Sequence, residues 1–77
     1  MKKVLCVGYR KWALSIYSKI AKSYKDGEVR VIKSYDEYCN SFVREYNPDF
    51  ILFYGWSWMV DKDIIGDYKC IMLHPSK

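Results

Sequence analysis

Residues 50–54, Phe-Ile-Leu-Phe-Tyr, limit what this chain can fold into more than any other stretch. Consecutive apolar side chains without alternation leave no face for water, so the run reads as a strand covered on both sides. It is too short for a buried helix, and Gly55 ends it. Val4-Leu5-Cys6-Val7 before Gly8, Val29-Arg30-Val31-Ile32, and Cys70-Ile71-Met72-Leu73 before His74 read as companion strands. Helical spacing separates them. Ala13, Ile16, Tyr17, Ile20, Ala21 and Tyr24 recur at intervals of three and four, with Ser15, Lys19, Lys22 and Ser23 opposite. Asp26-Gly27 then turns the chain. A second helix is expected from a Ser34 or Asp36 cap, with Tyr38, Phe42, Val43 and Tyr46 buried and Asn47-Pro48 ending it. A brief third helix is expected from Asp61 through Ile65, closed by Gly66.

Strands alternating with helices predict an α/β fold: a Rossmann-like parallel sheet with helices on both faces. Ligands of such sheets gather outside the carboxyl ends of the strands. Residues 8–11, 34–36, 55–60 and the segment from His74 onward meet at that edge.

Length and composition sharpen the reading. A chain of 77 residues holds one small domain at most, yet 51% of it is apolar and 18% aromatic, which excludes disorder. A core so rich in so small a chain, followed at once by His74-Pro75-Ser76-Lys77, predicts a piece of a larger domain with one apolar sheet edge left bare. The net charge of +4 is spread along the chain and reads as a solvated surface, compatible with an anionic small substrate. A nucleic-acid partner is not expected on that distribution. Cys6, Cys39 and Cys70 are far apart and read as small core residues of a reducing compartment, with no metal site. No signal peptide or membrane-spanning run is apparent, which predicts a cytoplasmic protein.

Three groups could carry chemistry. His74 is the single histidine; it follows a buried strand and its backbone is restricted by Pro75. Its position alone divides evenly between a proton-transfer group and a residue that closes a strand. Tyr54-Gly55-Trp56-Ser57-Trp58-Met59 sets a glycine turn before two tryptophans, suited either to a flat ring ligand or to core packing. Tyr9, Arg10 and Lys11 follow Gly8 at the end of the first strand and could grip a phosphate or carboxylate; two solvated cations at a helix start is an equal alternative.

The apolar strand running into Tyr54-Gly55-Trp56, paired with a later strand ending Leu73-His74-Pro75-Ser76, resembles the formyl-tetrahydrofolate-dependent formyltransferases. That family includes glycinamide ribonucleotide, methionyl-tRNA and sugar N-formyltransferases. The opening Gly8-Tyr9-Arg10-Lys11-Trp12-Ala13-Leu14 is most similar to the sugar branch or to uncharacterised relatives. The resemblance implies that residues 1–77 are the truncated N-terminal part of one catalytic domain. It implies formyl transfer from formyl-tetrahydrofolate to a small-molecule amine, an amino sugar on a nucleotide being one candidate, in a protein that can form a homodimer. It implies His74 as the catalytic residue. Gly55, Trp56, Ser57, Trp58, Met59 and Val60 become cofactor-binding, and Tyr9, Arg10 and Lys11 substrate-binding. The family's usual asparagine, two residues before the histidine, is Met72 here, which cannot donate a hydrogen bond to an oxyanion. The family's later loop and aspartate would lie beyond Lys77, so the 77 residues by themselves are expected to be inactive. Met72 keeps a second reading open, a non-catalytic folate- or nucleotide-binding α/β module, and the isolated piece also reads as a structural fragment without a ligand.

Overall fold

The structure is a computed structural model and describes residues 2–56 and 60–73. Four strands, β1 (Lys2–Val7), β2 (Gly27–Ile32), β3 (Phe50–Tyr54) and β4 (Lys69–Leu73), form one sheet in the order β2-β1-β3-β4. All three pairings are parallel. The α/β Rossmann-like expectation is therefore correct. Helix α1 (Lys11–Ser23) connects β1 to β2, α2 (Asn40–Tyr46) connects β2 to β3, and α3 (Lys62–Asp67) connects β3 to β4.

Strand order dictates the layers. The chain moves from β1 to one side for β2, then back across β1 to β3 and on to β4. With crossovers of one hand, that reversal sends α1 to one face and α2 and α3 to the other. The two cores show it. Val4, Cys6 and Leu52 pack with Ala13 and Tyr17 of α1. Leu5, Val7, Ile51 and Phe53 pack with Val43 and Tyr46 of α2 and Ile64 of α3. Adjacent residues of β1 and β3 thus go to opposite cores, which is why those runs have no polar phase.

The second helix begins later than its sequence suggested. Residues Tyr35–Glu37 wind as a 3₁₀ turn after Ser34. The α-helix starts only at Asn40, where the Sγ of Cys39 accepts the Phe42 N–H at 3.4 Å. Tyr38 therefore precedes the helix. Cys39, expected in the core, is exposed because its cap position faces out. Asn47 ends the helix in the left-handed region (φ 50°), which asparagine tolerates, directly before Pro48. The third helix has the expected Asp61 cap but runs through Gly66 to Asp67. Ala21, expected on the buried face of α1, is exposed.

β4 lies at one edge of the sheet, with Ile71, Met72 and Leu73 each more than two-fifths exposed. This is the bare apolar edge anticipated above. No helix among the described residues is long and apolar enough to cross a membrane.

Buried hydroxyls and thiols make the fold sensitive to alkali. Burial pushes the Tyr38 phenol and the Cys6 thiol up to about 12. Tyr46 is likewise pushed up to about 12, by burial first and then by the neighbouring Glu28 carboxylate. The folded chain holds these protons at a pH where the unfolded chain, with ordinary values near 10.0 for tyrosine and 9.0 for cysteine, has released them. The unfolded state then binds fewer protons, so stability falls as pH rises. Stability should be intact below about pH 9 and lost by about pH 12. A pH titration following backbone circular dichroism and tyrosinate absorbance should show one cooperative step with both signals together. Smooth ionisation of every tyrosine near its ordinary value, with the backbone signal unchanged, is the contrary outcome.

Candidate functional site

The sheet's reversal point lies between β1 and β3, where crossing helices diverge and leave a crevice at the carboxyl edge. The β1–β3 ladder ends at the Val7–Phe53 pair. Beyond it the Gly8 N–H turns the other way, to the Ile32 carbonyl of β2 at 3.0 Å. The Tyr17 hydroxyl, reaching up from α1, fills the opening. It lies 2.7 Å from the Val7 carbonyl and 3.0 Å from the Leu52 carbonyl, and accepts the Tyr54 N–H at 2.9 Å. Tyr17 stacks on Tyr54 with centroids 5.4 Å apart, and Trp12 on the far side of the stack at 6.5 Å. The α1 side of the crevice is therefore closed by aromatic rings.

The α2 side is open. Gly55 follows β3 in the left-handed region (φ +66°), the turn expected of it from sequence. A Cβ there would stand 2.8 Å from Arg10 Cγ and 3.2 Å from the Trp12 ring. The segments bearing Tyr9-Arg10-Lys11 and Gly55-Trp56 thus meet at one edge. Tyr9 packs edge-on against Trp56 at 6.1 Å, and the Arg10 guanidinium lies 5.1 Å from the Tyr9 ring centre. Arg10 and Lys11 are exposed. Trp56 is only 3% exposed and is the hub of an aromatic group, with Tyr35 stacked on it at 6.4 Å and Tyr38 tilted against it at 5.6 Å. Val60 is half-buried against the same core. Ser57, Trp58, Met59 and His74 lie outside the described residues. Met72 pairs with Phe53 on β4, at the strand position two before His74.

Beside this group opens a cleft of about 480 Å³ lined by Tyr35, Tyr38, Cys39, Asn40, Val60, Asp61 and Lys62. Its polar wall is built. The Asp61 carboxylate caps α3 by accepting the Asp63 N–H at 2.9 Å and accepts the Asn40 amide at 3.1 Å. The buried Tyr38 hydroxyl has no hydrogen-bond partner among the described residues. Burial first, with the neighbouring Cys70, Asp61 and Cys39 groups after it, raises that phenol above its ordinary value and keeps it protonated. Such a wall can donate and accept hydrogen bonds next to a flat apolar surface, the chemistry of a small-molecule pocket. Sequence reasoning placed residues 34–36 at this edge but read Tyr38 as a helix face. The available signal was Tyr35 and Tyr38 directly after the second strand, where ligand loops lie.

No protein-family model and no curated protein matches the sequence. Among solved structures the chain is similar to a methionyl-tRNA formyltransferase from Clostridium thermocellum, with a TM-score of 0.83 and 25% sequence identity over 96% of this chain. It spans 33% of that protein's length. Strand order, the crevice at the reversal point and this likeness converge on one conclusion: the chain has a formyltransferase-like N-terminal domain fold.

Proposed function

We propose that the protein transfers a formyl group from formyl-tetrahydrofolate to a substrate amine, with an amino sugar carried on a nucleotide as the acceptor. The observation that carries the reading is the likeness to a formyltransferase over 96% of the chain, with the carboxyl edge built around Gly55. The described residues fit the carrier: the edge beside Gly55 is walled by Tyr9, Tyr35, Tyr38 and Val60, apolar surface of the kind that holds a flat ring. When bound, the carrier supplies the activated one-carbon unit. In this reading Gly55, Trp56, Ser57, Trp58, Met59 and Val60 shape its site. Tyr9, Arg10 and Lys11 hold the anionic part of the acceptor. His74 takes the proton that the acceptor nitrogen must lose.

Met72 supports the second reading. It stands where a hydrogen-bond donor would help polarise the formyl oxygen, and a thioether cannot donate. A folate- or nucleotide-binding module without turnover follows if nothing replaces that donor.

The test uses the full-length protein. Gly55→Val should weaken binding of a stable formyl-folate analogue, because a β-branched residue resists the positive φ and its Cβ meets Arg10. His74→Ala should lower turnover and leave apparent substrate affinity nearly unchanged. Unchanged analogue affinity in a folded Gly55→Val protein counts against the cofactor site. Tight analogue binding by the full-length protein without formylated product selects the binding module.

A further inference from the structure

Strand β2 is outermost on its side of the sheet, and no strand among the described residues pairs with its free edge. Its ladder to β1 runs residue against residue, from Lys2–Gly27 to Val7–Ile32, without a bulge. No proline or lysine within the strand blunts that edge, whose only charges are Glu28 and Arg30. The backbone decides which groups point outward. The Ile32 carbonyl accepts the Gly8 N–H at 3.0 Å and the Asp26 carbonyl accepts the Lys2 N–H at 3.5 Å. Even-numbered residues thus turn their polar groups to β1, and alternation directs the N–H and C=O of Val29 and Val31 away from the sheet. The next outward donor, the Lys33 N–H, is already taken by the Glu37 carboxylate at 2.9 Å.

The side chains of this stretch complement themselves. Glu28 and Arg30 are exposed on the α2 face, where the Arg30 guanidinium lies 5.6 Å from the ring centres of both Phe42 and Tyr46. Neither is ion-paired among the described residues. A second β2 running antiparallel, about a two-fold axis at Val29, sets Glu28 of each copy opposite Arg30 of the other. It also sets Val29 against Val29, so that outward backbone groups meet outward backbone groups, and Val31 against Gly27. An axis at Glu28 or at Arg30 would oppose like charges and present backbone already bonded to β1. An axis at Gly27 would set Glu28 against Asp26, and one at Val31 would set Val29 against the occupied Lys33 N–H. The Val29 register alone satisfies backbone and charge together. Its one like pair, Lys33 opposite Lys25, lies beyond the strand ends with Asp26 adjoining. On the α1 face, the shallow groove lined by Leu14, Ser18, Ala21, Val31 and Lys33 would adjoin its own equivalent and cover the exposed Ala21.

We infer that the free edge of β2 is a two-fold interface, at which two copies of this chain join their four-stranded sheets into one continuous sheet. The inference rests on the edge itself and not on formyl transfer. Because the paired strands run in opposite directions, the two carboxyl edges face opposite ways. The test is sedimentation velocity of the full-length protein over a concentration series, with amide hydrogen exchange. The wild type should form dimers, and the Val29 and Val31 amides should lose protection on dilution. Glu28→Arg and Arg30→Glu should each dimerise at least about tenfold more weakly, because two attractive pairs become two repulsive ones. An equimolar mixture of the two variants should restore dimers containing one of each, and Glu28→Arg/Arg30→Glu should dimerise alone. A monomer at every concentration overturns the inference. So does a dimer that both single variants leave intact, or a mixture that restores nothing. Should a single variant fail to fold, exchange in the wild type decides. Val29 and Val31 amides protected equally at all concentrations would show that the edge is covered by the rest of the same chain.

Discussion

Exchanging Gly8 for alanine is expected to destabilise the protein by about 3 kcal/mol, the upper end of what an inserted methyl costs in a packed interior. The added Cβ would lie 2.2 Å from the Tyr54 carbonyl oxygen, 3.3 Å from the Tyr17 ring and 3.4 Å from the Ala13 Cβ. The first contact decides the outcome, because a backbone oxygen within a strand cannot rotate away as a side chain can. Relief requires β1 and β3 to part where their ladder ends, and this lengthens the hydrogen bonds held by Tyr17. For a domain of this size such a loss lowers Tm by about 12–24 °C. Thermal and urea unfolding of Gly8→Ala would measure it. A variant within about 1 kcal/mol of wild type would show that the strands separate freely there, and that the crevice is soft rather than preformed.

The carboxyl edge was legible in the sequence to the extent that local rules determine it. Unbroken apolar runs identified β1 and β3, because a strand between two helical layers has no polar phase. Gly55 was legible as a turn because only glycine takes its positive φ without strain. The caps failed where a rarer group did the work. Ser34 and Asp36 are ordinary helix caps, but the chain spends them on a 3₁₀ turn and uses the Cys39 sulfur instead. What no local rule could show is which distant groups share a point in space. Tyr17 reads as one more apolar position on a helix face, yet its hydroxyl serves backbone groups of residues 7, 52 and 54. The cleft wall of Tyr35, Tyr38, Asn40 and Asp61 joins two loops about twenty positions apart.

These features bear on one another through the reversal point. A site between β1 and β3 needs strands that diverge, and diverging strands strand their own hydrogen-bonding groups in the interior. Here one side chain from α1 answers that need. The open α2 side can therefore hold a ligand without the α1 side admitting water to the backbone. Trp56, buried among tyrosines, supports the open side from beneath. Tyr9, Trp12, Tyr17, Tyr35, Tyr38, Tyr54 and Trp56 wall this edge through ring contacts.

Tyr17 should accordingly be the most sensitive side chain in the protein. Tyr17→Phe removes one oxygen and leaves the ring stack with Tyr54 in place. The Tyr54 N–H then loses the acceptor that the described structure gives it, while the Val7 and Leu52 carbonyls, each with two lone pairs, are better able to tolerate the change. Orphaning that buried donor costs about 1–3 kcal/mol. Tyr17→Ala adds the loss of a fully buried aromatic ring, about 3–5 kcal/mol more. The sum approaches the lower range of whole-domain stabilities, about 5–15 kcal/mol, so the alanine variant should fail to fold cooperatively. The phenylalanine variant keeps the proposal testable, because it should fold and differ at one place. Amide hydrogen exchange should show the Tyr54 N–H losing protection while Leu5 and Cys6, inside the β1 ladders, retain theirs. Gly8→Ala and Tyr17→Phe act on the same contact, so their combined cost should fall short of the sum. A Tyr17→Phe protein as stable as wild type, with the Tyr54 amide still protected, would mean that another group closes the gap between β1 and β3, and that the hydroxyl merely occupies it.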